Sequence, residues 1–439
     1  MEKGNNIFES KSIPKVYFTL AIPVVLSMVI TIIYNITDTY YIALTRNTNL
    51  VAGVSLCAPI FTLLMGFGNI FGQGGSSLIS RLLGKDDKEN LRRVSSFCFY
   101  VAIVFGLVSG VLMLIFRIPI LHLLGADDET ISYALSYFTW FAAGAPFVTL
   151  SFIHTNLLRS EGMAKESMIG TVGGSVVNII LDPLLIFTLK MGAAGAALAT
   201  IIGYICTDLY CLFIVMKKSR VLSVDARSWK ISRDHVSQIF SIGISAALSN
   251  ITQSICLILT NQKLLLYGND KIAAMGIVQK VSMIVMLVIV GFSFGGAPFI
   301  GYTYGAGNKE RMKALLGFVV KFLCGTAFIL SVLMVVLAPF VMRVFLTDEV
   351  LIETGVLMLR TQVMGMTLMT VVLFFTVFFQ ATGKAMPALI LALSRQGIVF
   401  VVVLFIAVAI GGYYGVILTQ FIADFISAMI ALVLYRRVH

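Results

Sequence analysis

Apolar runs alternate with short polar clusters along the whole chain, and each run is long enough to cross a lipid bilayer as a helix, which takes about 20 residues. The pattern predicts twelve membrane-spanning helices, near 16–44, 51–80, 94–117, 131–158, 166–189, 192–216, 237–266, 272–303, 314–342, 351–381, 386–410 and 411–435. Their connections are short and leave no room for a soluble catalytic domain. The first run follows a polar N-terminus, exceeds a signal-peptide core in length and contains Asp38, so it is read as a retained helix.

Composition agrees: 59% of the 439 residues are hydrophobic and only 12% charged, where soluble domains carry about 25%. The net charge of +11 suggests a nucleic-acid partner until its distribution is considered. With the N-terminus inside, 23 of the 32 Lys and Arg residues fall in segments on that side, Arg159 among them, and 6 in the outer loops. That asymmetry is the positive-inside pattern; it orients the chain with both termini cytoplasmic and offers no evidence for nucleic acid. The expected location is the cytoplasmic membrane, with a monomer in the bilayer. The six cysteines lie inside spans without metal-ligand spacing and read as small core residues.

The hydrophobic pattern is written twice. Displacing the chain by about 221 residues aligns Gly84, Lys88 and Glu89 of GKDDKE with Gly305, Lys309 and Glu310 of GAGNKE, and Gly162 of RSEGMAK with Gly383 of QATGKAM. Glu129 then meets Glu349, and Gly195 meets Gly415, within a residue of that register. Each unit holds an even number of spans, so both enter from the same side. Parallel repeats of this kind occur in secondary transporters, whose substrate sites lie at the repeat interface. The expected organisation is an all-α polytopic membrane protein of two six-helix lobes, 1–216 and 237–439. A cytoplasmic linker at 217–236 joins them, read as solvated, with Trp229 as an interfacial anchor.

Polar residues inside the spans carry the chemistry. At 100° per residue, Ser27, Thr31, Tyr34, Asn35 and Asp38 share an arc of about 100° on the first helix, and Ser167, Thr171, Ser175, Asn178 and Asp182 one of about 80° on the fifth. Counted at about 1.5 Å per residue, Asp38 and Asp182 each lie about 9 Å from the outer ends and Thr200 about 12 Å. An acid at the centre of a membrane helix costs about 2.5–3.5 kcal/mol on insertion scales and so usually marks function. Asp38, Asn178, Asp182 and Thr200 are therefore candidates for a nest that takes a proton or a hard cation such as Na⁺. Pro23 and Pro183 remove backbone donors and allow both helices to bend. A packed, buried hydrogen-bond cluster is the plainer alternative.

The second half does not copy these acids: Val403 and Thr260 stand where the first half has Asp182 and Asp38. Its seventh helix keeps a neutral stripe of Ser245, Ser249, Thr252, Gln253 and Thr260. Arg395 in LSRQG lies deep enough to contact substrate, whereas Lys280 and Arg360 are explained equally well by snorkelling to the interface. Tyr34, Asn35, Ser175, Gln253 and Arg395 are candidates for the substrate path, as are Asp208 and Asp424, while His154 shows no obvious partner. No G-x-x-x-x-G-K-[ST] stretch exists, so no nucleotide-driven motor or nucleotide cofactor is expected. GQGGSS and GFSFGG read as close helix packing rather than phosphate binding.

YNITDTYYIAL, GKDDKE, LLRSEGMAK, NIILDPLLIF, MGAAGAALAT and ALSRQG, in that order and spacing, resemble the multidrug and toxic compound extrusion (MATE) family, closest to its bacterial multidrug-resistance and DinF-like members. The resemblance implies a V-shaped pair of lobes that exports amphipathic, often cationic compounds in exchange for H⁺ or Na⁺. It also implies that Asp38 and Asp182 are the coupling acids, with Asn178 and Thr200 beside them and Pro23 at a bend. The alternatives are a flippase for lipid-linked saccharides and an exporter of an anionic metabolite that uses Arg395. An enzyme is not expected, because no nucleophile, metal cluster or paired acid and base is placed for chemistry.

Overall fold

In the computed structural model, which describes residues 7–346 and 348–438, every extended element is a helix. The first lobe comprises α1 (Ile13–Leu44), α2 (Thr48–Leu56), α3 (Ala58–Gly84), α4 (Lys88–Ile115), α5 (Arg117–Leu123), α6 (Ile131–Ala143), α7 (Ala145–Ser160), α8 (Ala164–Pro183) and α9 (Ala193–Lys217). The second comprises α10 (Arg233–Leu265), α11 (Asn269–Gly305), α12 (Lys309–Phe345), α13 (Glu349–Met364), α14 (Met366–Ala381), α15 (Ala385–Arg395) and α16 (Ile398–Val438).

Several spans are broken. The pairs α6 with α7 and α13 with α14 bend by 53° and 41°. The helical stretch Ala385–Arg437 runs 53 residues, about 80 Å at 1.5 Å per residue, against a hydrocarbon core of about 30 Å. Gly412, with a left-handed φ of 54°, divides it into two crossings. Its counterpart in the first lobe, Gly192, has φ 55° and precedes α9. Counted in this way, the helices make twelve crossings.

The repeated motifs are helix boundaries. Asp87 accepts a hydrogen bond from the Asn90 N–H at 3.2 Å to cap α4, and Asn308 does the same from Arg311 at 2.9 Å to cap α12. Each cap is preceded by a residue with positive φ, Asp86 and Gly307. The Asn90 side chain, through its hydrogen bond, holds the Asp87 carboxyl below the ordinary carboxylate range, which keeps the cap charged at the positive end of the helix dipole. Landmarks of the repeat are thus local folding instructions.

Segment 218–232 is solvated in part, with Lys218, Arg220, Asp225, Arg227 and Lys230 exposed, and docked in part. Val221 and Leu222 are buried, the Ser95 and Ser96 hydroxyls donate to the Ser223 carbonyl at 3.0 and 3.1 Å, and Tyr100 donates to Val224 at 2.9 Å. Glu161, whose carboxyl is pushed up by burial, accepts hydrogen bonds from Ser219 and the Arg220 N–H. Serine hydroxyls and a buried acid replace the water that a polar stretch would otherwise require. Trp229 remains half-exposed.

The lobes meet mainly through α3 against α10 and α11, and α1 against α11. These contacts are made at the end of the bundle that carries both chain termini. A Cβ at Gly74 would overlap the Ile239 carbonyl, and one at Gly84 the Tyr302 carbonyl; Gly295 lies on Ala21 and Gly296 on Tyr17. The Tyr17 hydroxyl donates to the Phe292 carbonyl at 2.8 Å, and that of Ser77 donates to the Gln380 carbonyl. Phe8, 0% exposed, stacks on Tyr302 at 4.7 Å, and Arg311 donates to the Ser10 carbonyl at 2.7 Å.

Gly84→Val is expected to wedge this contact open. Overpacking a tight site costs about 1–3 kcal/mol, enough to change a two-state population ratio about five- to 150-fold. Distances between spin labels on the two lobes should lengthen at the terminus-bearing end and shorten at the other; an unchanged distribution would show that the glycine contact does not set the equilibrium.

Candidate functional site

Between the lobes lies a cavity of about 620 Å³. Its wall realises the predicted stripes: Ser27, Thr31, Tyr34 and Asn35 from α1, Thr171, Ser175 and Asn178 from α8, and Thr200 from α9. From the second lobe come Ser249 and Gln253 of α10 and Arg395 at the end of α15. Met28, Met65, Met283 and Met286 supply adaptable apolar surface.

Asp38 and Asp182 continue these stripes one helical turn further from the terminus-bearing end and are not among the lining residues, Asp182 being buried and Asp38 half-buried. Asp182 is 0% exposed, and neither carboxylate oxygen has a hydrogen-bond partner; Asp38 Oδ1 and Asn178 Oδ1 are likewise unpartnered. Asn178 Nδ2 donates to Thr200 Oγ1 at 3.4 Å. That reach depends on the close approach of α8 and α9, where a Cβ at Gly203 would meet the Gly174 carbonyl oxygen at 2.7 Å. Asp38 is near enough to Asp182 for their charges to repel.

The result is a set of buried oxygens short of donors. Such a set costs free energy unless a proton or cation completes it, and oxygen-only donors suit a hard cation. Pro183 ends α8, and the chain continues as a π-helical turn, Leu184–Thr188. Pro23 sits inside an unbroken α1. Lacking an N–H, the two prolines have nothing to donate to the carbonyls of Ile179 and Thr19.

Several residues stand where the sequence reading did not put them. Tyr137 of α6 is close to both aspartates, and no sequence signal distinguishes it from other aromatics. Arg159, counted among the residues of a cytoplasmic segment, instead belongs to the last turn of α7 and lines the cavity, donating to Ser167 Oγ at 3.1 Å. The turn at Gly162, with a φ of 94°, comes later than the predicted end of that span and leaves the guanidinium inside.

Asp208 and Asp424 do not line the cavity. Asp208 lies 3.8 Å from His154, a partner brought from α7 to α9 by tertiary packing, and the His154 ring stacks on Phe99 at 5.3 Å. Asp424 binds Arg395 Nε at 2.9 Å and Gln420 at 3.0 Å. Arg360 donates to the Val335 carbonyl at 3.1 Å, and Lys280 is exposed. Among the described residues, no cluster of His, Cys, Asp and Glu is built to hold a metal ion.

The MatE family profile matches the chain twice, over residues 23–184 and 245–406. The two matches are offset by 222 residues, within a residue of the roughly 221-residue spacing of the internal repeat. The multidrug export protein MepA of Staphylococcus aureus (strain MRSA252) is 34% identical over 428 residues, covering 97% of this chain and 94% of its own. The protein of that name from Staphylococcus haemolyticus (strain JCSC1435) is 33% identical over 425 residues, with the same coverage. Among solved structures, the outward-facing conformation of a multidrug resistance MATE family transporter of the MOP superfamily superposes with a TM-score of 0.91. It is 25% identical and covers 100% of this chain and 98% of that one.

The Arg395–Asp424 pair makes a stability prediction, because its side chains are only 14% and 3% exposed. Removing one member of a buried pair costs about 3–5 kcal/mol, whereas replacing both by apolar groups is often neutral. Asp424→Ala should lower the unfolding midpoint of the detergent-solubilised protein, and Arg395→Met with Asp424→Leu should restore most of it. A double variant as unstable as Asp424→Ala would remove this account of the pair.

Proposed function

The chain belongs to the MatE family of membrane transporters, and from that premise we propose that it exports amphipathic organic compounds by exchanging them for H⁺ or Na⁺. Coupling is assigned to Asp38 and Asp182, supported by Asn178 and Thr200. The observation that carries this reading is the group of unpartnered oxygens on Asp38, Asn178 and Asp182, immediately behind a wall that both lobes share.

The positive-inside asymmetry favours a cytoplasmic location for the terminus-bearing end. On that orientation the glycine contacts close the cytoplasmic side, and the cavity belongs to an outward-facing state. An ion from outside reaches Asp38 and Asp182, removes their mutual repulsion and completes the oxygen set. That changes the packing of α1, which touches α8 of its own lobe and α11 of the other, and so biases the equilibrium between the two lobe arrangements. A charge moving down a potential of about 100 mV contributes about 2.3 kcal/mol before any concentration term. The Met-rich wall accommodates differently shaped apolar bodies.

The test is flux of ethidium, a lipophilic cation, in liposomes containing the purified protein, under a pH gradient and a Na⁺ gradient imposed separately. One gradient should drive flux, and Asp38→Asn and Asp182→Asn should each reduce it at least about tenfold, equivalent to about 1.4 kcal/mol on the transport barrier. Undiminished flux in both variants would remove the aspartates from the mechanism.

A further inference from the structure

We propose that this cavity holds an anionic group in preference to a cationic one and that Arg159 is the anchor for it, an inference that rests on the transport reading above. Among the described residues on the cavity wall, the charged side chains are Arg159 from the first lobe and Arg395 from the second; no Asp or Glu is present. None of the four acids of the membrane interior, Asp38, Asp182, Asp208 and Asp424, is among the lining residues. The wall therefore offers an anion two guanidinium groups and offers a cation no directly opposing charge.

The two arginines are not equivalent. Arg395 is neutralised by Asp424 at 2.9 Å, and Asp424 is further held by Gln420. Arg159 makes no ion pair among the described residues; its Nε donates to the neutral Ser167 hydroxyl, and its terminal nitrogens make no hydrogen bond among the described residues. A half-buried guanidinium on the cavity wall whose terminal donors are free favours a carboxylate, phosphate or sulfonate that can bind in bidentate fashion. Asn156, one turn earlier on α7, and Gln380 of the other lobe add neutral hydrogen-bonding groups to the same wall.

The internal repeat sharpens the inference. Gln380 occupies in the second unit the place that Arg159 holds in the first, at the same distance before the glycine of its turn. Both side chains line the cavity, yet only one is charged. The last turn of α7 needs no arginine for its geometry, since its counterpart closes with glutamine, Gly162 and Gly383 both having left-handed φ, 94° and 79°. The charge is an addition to a frame that folds without it.

The experiment uses three probes sharing one fluorescent body: dansylglycine, its neutral methyl ester and the cationic dansylethylenediamine. Equilibrium binding to the purified full-length protein in nanodiscs, with no gradient, reads charge preference separately from coupling. Dansylglycine should bind at least about tenfold more tightly than either relative, the size expected for a hydrogen-bonded charge. Arg159→Gln should abolish that preference while leaving the ester within about twofold of its original affinity, and Arg159→Lys should retain part of it. Gln380→Arg, which needs no change at Arg159, should strengthen dansylglycine binding further.

Equal affinities for the three probes in the unaltered protein would overturn the proposal, as would a parallel loss of all three in Arg159→Gln. A charge preference with no gradient-driven flux of either ethidium or dansylglycine would leave this inference standing and defeat the coupling reading; flux that is lost in the aspartate variants, without the preference, would do the reverse.

Discussion

Gly74 against the Ile239 carbonyl and Gly84 against that of Tyr302 bring helices of the two lobes closer than side chains allow. In a bilayer this approach has particular weight, because lipid tails are as apolar as the helices and burial of apolar surface gives little net drive to association. Dispersion contacts between backbones, and hydrogen bonds such as Tyr17 to Phe292 and Ser77 to Gln380, have to hold the lobes together. Because they are concentrated at one end, the other end is free to diverge, and the cavity follows. The polar stripes need that cavity: without water or ligand, Thr31, Asn35 and Ser175 would face another helix.

Much of this was legible in sequence because period, glycine position and charge are local properties. The twelve apolar runs, the repeat and the stripes of the first and fifth helices needed no tertiary information, and the GKDDKE and GAGNKE motifs mark helix caps by residue type alone. What was not legible depends on pairing between distant helices. His154 had no visible partner because Asp208 is 54 residues away on α9, and Tyr137 reaches the aspartates only through the packing of its helix. Arg159 was misplaced for a different reason. The end of a helical span is set by the turn at Gly162, whereas hydrophobicity fades a few residues earlier, so a reading by hydropathy puts the guanidinium outside.

The buried charges divide by how each is satisfied. Arg395 and Asp424 form a close pair with Gln420 as a third partner, an arrangement that holds the end of α15 where the following residue, Gln396, leaves helical geometry. His154 and Asp208 stand 3.8 Å apart, too far for a direct hydrogen bond, and are packed away from the cavity. Asp38 and Asp182 have neither basic partner nor donor among the described residues, and a mobile proton or cation would complete them. Arg159 is the converse, a donor fork without an acceptor. Only the Arg395–Asp424 pair is internally satisfied; His154 and Asp208 lack hydrogen-bond partners but are enclosed away from the cavity, and the remaining two groups, the aspartates and Arg159, are incomplete at the wall.

That separation constrains how coupling can work. If drug and ion shared ligands, each would displace the other directly, and no movement of the protein would be needed to explain exchange. Here the aspartates of the proposed ion site are off the wall, only Asn178 and Thr200 of that site reach it, and the proposed anchor is Arg159, so ion and anchored group have no ligand in common. Direct charge competition also has the wrong sign for an anionic group at Arg159, since neutralising the aspartates lowers the negative potential and would hold such a group more firmly. Release on ion binding must then come from a change of shape. The element placed to transmit it is α1, which contributes Ser27, Thr31, Tyr34 and Asn35 to the wall and Asp38 to the oxygen cluster, so that any repacking around the aspartate moves the surface against which the substrate lies.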